Sequence, residues 1–406
     1  MRALLETGRR LGRSRESGVL ALRTVSQVLG LGTVGLAVVL LGNEGAGHLI
    51  LYLTVVQVAA LPVGAGYGRT VTMHIGRDER DLANRARRAG LAAGVAAGVI
   101  GSIVAVLMLG SEFGRFTVVV TVFASVVSLC VLLLRASELR GEMRPQWSTA
   151  VEAIAPQTTL LLALLALSTR GGAGVMIGRT VVLVLTAVLV DRTTRPAPAG
   201  SAAALTAVSL MSSVVAGSQI LMVRLDLLML GWLDGPGDVS AYSVIQRIAE
   251  ISYWPMGAAL VVIGPQFAAA TDRPSLSAAV GEVRPRLLAV RGLAVGASAV
   301  MGGVGAVLLN GSWPSTFAVL LFASLVLVFF APDASLLLMQ GRPQVVALAS
   351  AVGVAANVAL NLALIPPFGA LGASFATLTA LAVSYTVLPA LARRQVGFSS
   401  WSTALR

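Results

Sequence analysis

Four of the charged residues that lie inside long apolar stretches occur close together in the chain, and each of them needs a chemical reason. Arg224 and Asp226 occur in one Leu-, Val- and Met-rich stretch, and Arg247 and Glu250 occur in the next. A charged side chain at the centre of a membrane span costs about 2.5–3.5 kcal/mol on insertion scales. A guanidinium keeps its charge at low dielectric and presents a planar fork of donors, so these arginines favour a binding site for an anionic group.

Other polar residues extend this candidate site. Arg23 is a third candidate for anion binding, and Asp226 and Glu250 are candidates for a coupling-ion site or for ion pairs with the arginines. The alternative is pairwise neutralisation, with Arg247 paired to Glu250 at i,i+3 and Arg224 paired to a neighbouring helix. Arg224 and Asp226 are two residues apart and therefore point to different sides of a helix. The candidates for a polar cavity lining are Gln57, Arg179, Gln246 and Asn361.

Three further positions have expected roles outside that site. Arg291 lies near a cytoplasmic end, so its side chain is expected to reach the membrane surface. Asp333 either pairs with Arg342 or lines a path through the membrane. Asn357 and Asn361 are one helical turn apart, and we expect them to bond a neighbouring helix.

The composition excludes several classes of protein. All 30 basic residues are arginine, so the chain has neither the lysine of a Walker A loop nor that of a Schiff-base enzyme. The single Cys130 rules out an internal disulfide, and two histidines, His48 and His74, are too few for a histidine-rich metal site. A membrane prenyltransferase would need clustered Asp for Mg²⁺, but Asp78 and Asp81 lie among six arginines. We expect no enzyme activity, catalytic residue, metal, cofactor or nucleic-acid partner.

The elements that must position these residues are membrane-spanning helices. The 406 residues are 56% apolar and only 12% charged, with a mean hydropathy of +0.85. The apolar residues form blocks of about 20, the length that spans a bilayer as an α-helix. The sequence predicts an all-α polytopic membrane protein with twelve spans, at 18–41, 48–66, 90–109, 116–134, 150–169, 173–190, 203–231, 239–263, 288–309, 315–339, 344–365 and 369–391.

The arginine distribution orients these spans. With a cytoplasmic N-terminus, the cytoplasmic segments hold 23 arginines and the opposite loops hold two, Arg115 and Arg170. This asymmetry is what the positive-inside rule requires, and it places both termini in the cytoplasm. Residues 78–89 are expected to form a short charged helix at the membrane surface. Within the spans, Gly90, Gly94 and Gly98 predict a close-packing face, and Pro255 predicts a kink.

The chain also repeats itself weakly. Leu41-Gly42 and Gln57 match Leu230-Gly231 and Gln246 at an offset of 189 residues. Arg144-Pro145-Gln146 matches Arg342-Pro343-Gln344 at an offset of 198, as Gly171 and Gly174 match Gly369 and Gly372. Two parallel six-helix repeats are a transporter architecture with the substrate path between the halves. The predicted organisation is a cytoplasmic N-terminus (1–17), an N-lobe (18–190), a linker (191–202), a C-lobe (203–391) and a cytoplasmic tail (392–406).

Two stretches of the C-terminal half resemble a known family. The segment from Arg224 to Gly231, with Gly235-Pro236 and residues 241–250, resembles spans seven and eight of O-antigen and exopolysaccharide flippases. Residues 357–373 resemble the junction of spans eleven and twelve in the same family, which belongs to the multidrug/oligosaccharidyl-lipid/polysaccharide exporter superfamily. The resemblance implies a two-lobed transporter that moves undecaprenyl-pyrophosphate-linked sugars outward across the plasma membrane.

The function expected on this basis is secondary-active, alternating-access flipping of a polyprenyl-pyrophosphate-linked oligosaccharide in a bacterial inner membrane. Arg23, Arg224 and Arg247 would hold the anionic headgroup. The partners would be that substrate, the bilayer, and polysaccharide polymerase or export machinery. The alternatives are a multidrug or cation antiporter of the same superfamily and an integral membrane enzyme. An antiporter pocket would favour acidic and aromatic lining, whereas aromatic residues make up 5% of this chain.

Overall fold

A computed structural model describes residues 2–76, 78–191, 203–270, 272–311 and 313–401. These residues form thirteen α-helices, and no strand occurs among them. The helices are α1 (Arg2–Gly76), α2 (Arg80–Phe113), α3 (Arg115–Gly141), α4 (Pro145–Thr149), α5 (Ala155–Leu167), α6 (Gly171–Asp191), α7 (Ala203–Leu233), α8 (Pro236–Glu250), α9 (Trp254–Ala269), α10 (Arg273–Leu308), α11 (Trp313–Met339), α12 (Pro343–Tyr385) and α13 (Leu388–Val396).

The helices account for all twelve predicted spans. Within the described residues, eight continuous stretches are long and apolar enough to cross a membrane. Three of these stretches contain two predicted spans each, because the chain reverses at Gly42 in α1, at Gly171 before α6 and at Gly369 in α12. Each of these glycines has a positive φ, a conformation that only glycine adopts readily. The eighth predicted span corresponds to α8 and α9 together.

Two local predictions have different outcomes. The break near Pro255 is confirmed: a 3₁₀ turn at Ile251–Tyr253 separates α8 from α9, and Pro255 lies in the first turn of α9, where its missing N–H costs nothing. The prediction of a separate surface helix at 78–89 is wrong. α2 begins at Arg80 and continues without interruption to Phe113, because the charged residues form its first turns and are followed directly by helix-compatible apolar sequence.

The predicted close-packing face of α2 is confirmed. Gly90, Gly94 and Gly98 are all buried, and side-chain atoms of α3 lie within about van der Waals contact of the place where each Cβ would be. The nearest α3 residues are Leu134, Cys130 and Phe123, which run in the opposite direction along their helix. The absence of a side chain on α2 therefore allows two antiparallel helices to approach closely.

The chain divides into two compact units, residues 1–217 and 218–406. The division falls inside α7, because the first turns of this helix pack on α1: Ser209 Oγ and Thr70 Oγ1 are 2.7 Å apart, and Gly217 lies against Pro62. We call these the first unit and the second unit. The predicted linker at 191–202 lies outside the described residues except for Asp191, which ends α6.

The repeat found in the sequence recurs in the backbone. Arg144 and Arg342 have nearly the same conformation, with φ/ψ of −111°/61° and −112°/49°, and each precedes a proline that opens a helix. Their amides bond the carbonyls of Leu139 and Leu337 at 2.8 Å in both copies. The residue before each arginine has a positive φ and is methionine in the first copy and glycine in the second. The two units therefore use the same turn at equivalent places.

Candidate functional site

One face of α8 carries a polar residue at every turn. Tyr242, Gln246 and Glu250 are four residues apart, so their side chains lie above one another on a single side of the helix. This side faces α7, and all three side chains contact residues of that helix. The spacing is visible in the sequence and would have added Tyr242 to the expected site.

Arg224 of α7 is held by two residues of this face. Its Nη1 donates to Oε1 of Gln246 at 3.0 Å, and its Nη2 donates to Oε2 of Glu250 at 3.3 Å. Nη1 also lies 3.1 Å from Oε1 of Glu250, but that oxygen is buried and has no hydrogen-bond partner among the described residues. Glu250 keeps 20% of its side chain exposed and Arg224 keeps 15%. The pair is thus sheltered but incompletely satisfied.

The expected pairing of Arg247 with Glu250 is wrong, because Arg224 occupies that carboxylate. Glu250 pairs with Arg224, because residues 246 and 250 share the face that meets α7, while Arg247 is rotated about 100° away from Gln246. Arg247 remains within electrostatic range of both Arg224 and Glu250. Arg224 is also within electrostatic range of Asp226, so the cluster contains two arginine charges and two carboxylate charges.

Asp226 lies fully buried beside this cluster and accepts four hydrogen bonds. The donors are the backbone N–H of Leu227 at 2.8 Å, the hydroxyl of Tyr242 at 2.5 Å, Nε2 of Gln246 at 3.1 Å and Oγ1 of Thr377 at 3.1 Å. Gln246 therefore connects the two charged groups, since its oxygen accepts from Arg224 and its nitrogen donates to Asp226. Thr377 was not expected from the sequence, because it lies 151 residues from its partner.

A second polar pair lies in the same unit. Nδ2 of Asn361 donates to Oδ1 of Asn357 at 2.9 Å, as expected for residues one turn apart. Both side chains are fully buried, yet Nδ2 of Asn357 and Oδ1 of Asn361 have no partner among the described residues. The expected bond to a neighbouring helix is therefore not among those the described residues form. The two amides instead leave a free buried donor and a free buried acceptor.

Helix geometry places this pair near Asp226. A Cβ on Gly353 would lie 2.5 Å from Sδ of Met222 and 3.0 Å from the carbonyl oxygen of Ala380. Gly369 divides α12 into a first arm before it and a second arm after it, so α7 and both arms of α12 meet at Gly353. Asp226 and Asn357 each lie four residues beyond that meeting point, about 6 Å along their helices. Because Asp226 also bonds a threonine of the second arm, the three elements contribute an aspartate, an asparagine and a threonine to one layer.

A small cavity of about 20 Å³ lies beside the cluster. Its lining includes Gln246, Glu250 and Thr377, together with apolar residues of α7, α8, α11 and α12. This volume accommodates about one water molecule. The polar network of the second unit is therefore not fully closed off by side chains.

The candidates in the first unit are arranged differently. Arg179 of α6 is 3% exposed and lies over the ring of Tyr52, with 5.7 Å from its Cζ to the ring centroid. Arg23 and Gln57 are both half-buried on α1, and Nε of Arg23 is buried without a hydrogen-bond partner among the described residues. No described contact joins Arg23, Gln57 and Arg179 to each other.

The expectations for Arg291 and Asp333 were wrong. Arg291 does not reach the surface: it is 3% exposed and donates to the carbonyl of Phe329 and to Oγ of Ser400. Asp333 accepts from the N–H and the hydroxyl of Ser400, both at 2.7 Å, and is fully buried. The C-terminal segment folds back over these residues, with the Trp401 ring 4.1 Å from the Cζ of Arg291, and this long-range packing provides the partners.

Within the described residues, no group of three or more His, Cys, Asp and Glu side chains is placed to hold a metal ion. His74 contacts Glu79 in the turn before α2, 2.5 Å from Nδ1 to Oε2, and Cys130 is a free buried thiol. The charged residues of the candidate site are consequently a cluster of arginines and carboxylates rather than a set of metal ligands.

No family model and no curated protein sequence matches the chain. Solved structures do match. A MOP superfamily transporter from Pyrococcus furiosus, described as having a binding pocket of reverse polarity that suggests a different function, superposes with a TM-score of 0.69 over 94% of both chains at 13% identity. The chain has the fold of MOP superfamily transporters. The outward-facing form of a multidrug resistance MATE transporter of this superfamily gives a TM-score of 0.67 over 95% of both chains at 15% identity.

A third neighbour is the MATE multidrug transporter DinF-BH, solved as a complex, with a TM-score of 0.67, 17% identity and 95% coverage of both chains. These neighbours confirm the predicted fold class of a polytopic all-α membrane protein with twelve helices in two lobes. At these identities the likeness concerns the fold, so the substrate has to be inferred from the chain's own residues.

Proposed function

We propose that this chain is a secondary-active flippase that carries a polyprenyl-pyrophosphate-linked oligosaccharide across the bacterial inner membrane by alternating access. The observation that carries the proposal is the Arg224 cluster of the second unit. It combines a guanidinium that hydrogen-bonds directly to one carboxylate, a second arginine within electrostatic range, and a carboxylate oxygen without a hydrogen bond among the described residues. A pyrophosphate with at least two negative charges would compete well for such a cluster, since arginine binds phosphate oxygens bidentately.

In this proposal Glu250 holds Arg224 while the site is empty. An incoming pyrophosphate displaces Glu250 and pairs with Arg224 and Arg247. Arg23, in the first unit, is a separate candidate for binding an anionic group. Gln57, which is half-buried, would provide polar surface for the sugar path, whereas Arg179 and Asn361 are buried in this conformation. The lipid tail stays in the bilayer, because an apolar chain gains nothing from entering a polar cavity.

The coupling ion would act at Asp226. Gln246 bonds both Arg224 and Asp226, so a change in one charge alters the donors available to the other. Asn357 and Asn361 carry a free buried donor and acceptor close to Asp226. One carboxylate with several neutral oxygens suits a proton or a monovalent cation, and transporters bind such ions at the membrane midplane.

The fold neighbour described as having a reverse-polarity pocket supports the proposal, because it indicates that this fold accommodates pockets of different charge. The excess of arginine in one set of loops supports the proposed orientation, with both termini in the cytoplasm. In a cell, the product would pass to a polysaccharide polymerase or to export machinery on the outer side.

The test is restoration of polymer export in a bacterium that lacks its own lipid-linked oligosaccharide flippase. We expect the wild-type chain to restore export and Arg224→Gln to lose at least about tenfold, with lipid-linked intermediates accumulating inside. Arg224→Lys should rescue partly, since a point charge replaces a fork. The matched control is Arg291→Gln, which removes another buried arginine of the same unit. Normal export by Arg224→Gln at wild-type expression would refute the headgroup assignment.

The second candidate is a multidrug or cation antiporter. It is favoured by the two carboxylates of the second unit, Asp226 and Glu250, and by neighbours named as multidrug transporters. Drug efflux measured in the same strain separates the two functions. Efflux of cationic dyes that Glu250→Gln abolishes, without any effect on polymer export, would favour the antiporter.

A further inference from the structure

Arg179 is a buried charge without a counter-charge. It is 3% exposed, and its Nε and Nη1 are buried and have no hydrogen-bond partner among the described residues. Its described neighbour is the ring of Tyr52, whose face attracts a cation but accepts no conventional hydrogen bond. A guanidinium stays charged in proteins and is costly to bury unpaired. The side chain therefore needs an acceptor that the described chain does not supply.

The carboxylates of the first unit are engaged or distant. The ion pairs described in the first unit involve basic residues other than Arg179. They lie toward the helix ends opposite the turns at Gly42 and Gly171. Their carboxylates belong to Asp78, Glu79, Glu138, Glu152 and Asp191. Glu44 lies beside the turn at Gly42, and Glu112 lies at the end of α2. Arg179, in contrast, lies eight residues inside α6, about 12 Å from the turn at Gly171.

Arg179 is also separate from Arg23. The turns at Gly42 and Gly171 lie at the same end of the first unit, and Arg23 is 19 residues, or about 28 Å along α1, from the turn at Gly42. The two guanidinium-bearing residues thus differ in depth by about 16 Å, which is too far for one phosphate group to bridge. The acceptor that Arg179 needs is independent of the proposed headgroup site.

Polar groups surround the Arg179 position. The hydroxyl of Tyr52 lies 2.7 Å from Oγ of Ser125 and 2.9 Å from Oγ1 of Thr180, which adjoins Arg179 in the chain. All of these residues are at most 6% exposed. The hydroxyls join α1, α3 and α6 into a polar layer that an anion could adjoin without facing purely apolar surface.

The repeat gives an independent indication of the sign of the missing charge. At the offset of 198 residues Arg179 matches Thr377, and each lies eight residues beyond a positive-φ glycine that starts its helix. Thr377 donates to the buried carboxylate of Asp226. At the offset of 189 residues Asp226 matches Ala37, so the first unit has no carboxylate where the second unit has one. The buried carboxylate that the counterpart of Arg179 contacts in the second unit therefore has no equivalent in the first unit.

We propose that the first unit contains a site for a small monovalent inorganic anion of the size of chloride, bound at the guanidinium of Arg179, whose Nε and Nη1 groups lack hydrogen-bond partners among the described residues. One guanidinium balances one negative charge, and the enclosure of Arg179, Tyr52, Ser125 and Thr180 favours a single-atom anion over phosphate. The site goes beyond the proposed transport of a pyrophosphate and does not depend on it.

The test measures thermal unfolding of the purified full-length protein in detergent, with sodium gluconate, sodium chloride or sodium phosphate at equal ionic strength. We expect chloride to raise the unfolding midpoint by about 3 °C with a saturating dose dependence, and phosphate to have no such effect. Bromide should substitute for chloride, and crystals grown in bromide should show an anomalous peak beside Arg179.

Two variants assign the effect to this arginine. Arg179→Met keeps most of the length of the side chain without its charge and should abolish the chloride response, whereas Arg291→Gln should retain it. If Arg179→Met does not fold, two other measurements replace it. Arg179→Lys should give a weaker chloride response, and crystals of the wild-type protein should show the bromide peak. Equal midpoints in chloride and gluconate for the wild-type protein would overturn the proposal, because a bound water would then satisfy Arg179. An effect of phosphate alone would overturn it as well.

Discussion

The two units place their buried charges at different positions of one repeated backbone. In the first unit, Arg179 lies over an aromatic ring and has no carboxylate beside it among the described residues. In the second unit, the equivalent residue is Thr377, which donates to a buried carboxylate. The turns at Arg144 and Arg342 nevertheless have nearly identical geometry. The duplication has thus preserved the turns that set the path of the chain, while the buried polar residues have diverged.

The difference indicates which residues carry function. A turn of the form Arg-Pro-Gln has the same task in both units, which is to end one helix and start the next. A buried charge has no structural task that both units must share, and burying it is costly. Its presence at a different position of the repeat in each unit is what two different ion-binding tasks would require.

The largest expected effect concerns Asp226, the buried carboxylate of the second unit that Thr377 contacts. Asp226→Asn should reduce transport about 100-fold, because an amide nitrogen would face the donors from Tyr242 and Thr377 and the charge that attracts a coupling ion would be lost. Transport into vesicles under an imposed proton or sodium gradient measures this. Asp333→Asn, a second buried aspartate of the same unit, is the control and should retain transport. Equal losses in both variants would mean that Asp226 is structural.

A second change makes the environment of Arg224 resemble that of Arg179. Glu250→Gln removes the charged partner of Arg224 and leaves it, like Arg179, without a carboxylate. We expect a loss of about 1–2 kcal/mol in the free energy of unfolding, since the pair is only partly buried. Chemical denaturation in detergent gives this value. The variant should also gain a second, chloride-dependent stabilisation, and a chloride response identical to that of the wild-type protein would show that an unpaired guanidinium alone does not bind the anion.

A third change tests the shared backbone. Met143 has φ of 61° and is 71% exposed, whereas its counterpart Gly341 has φ of 72°. Gly341→Met should cost about 1–2 kcal/mol, and Met143→Gly should cost nothing or stabilise slightly, because only glycine adopts this conformation without strain. Thermal unfolding of both variants measures the difference. A destabilised Met143→Gly beside an unchanged Gly341→Met would mean that side-chain contacts outweigh backbone strain at this turn.

The smallest effect concerns the first turns of two helices, α10 of the second unit and α2 of the first. Asp272 caps α10 through Ser275, and these hydrogen bonds hold the pKa of Asp272 below its usual value, whereas Glu79 before α2 makes no such side-chain bond. Because the pKa is lowered in the folded state, the stabilisation is present above about pH 4 and is lost as the pH falls through the folded value. Asp272→Ala should flatten the acid limb of the stability curve slightly. Unfolding midpoints of this variant and of the wild-type protein are compared across the acid range, and identical curves would contradict the capping argument.

The sequence alone was sufficient for the spans and the turns but not for the contacts. Twenty-residue apolar blocks and repeated Arg-Pro-Gln turns are local signals, so the helices could be predicted from neighbouring residues. The partner of Glu250 depends on which face of α8 meets α7, and that is decided by packing. The burial of Arg291 depends on Ser400, which is 109 residues away. Contacts at such distances leave no periodic trace in a single sequence.

The division of the chain inside α7 bears on how the protein is made. The six helices that precede α7 are synthesised before Ser209 and Gly217, the residues that pack on Thr70 and Pro62 of α1. The first unit is therefore incomplete when its sixth helix leaves the ribosome, and it closes only when the seventh arrives. Since domains fold in order during synthesis, the same helix that completes the first half begins the second. In a nascent chain arrested at residue 200, the Thr70 hydroxyl would lack its serine partner. The incompletely packed first unit would then be a substrate for quality-control proteases.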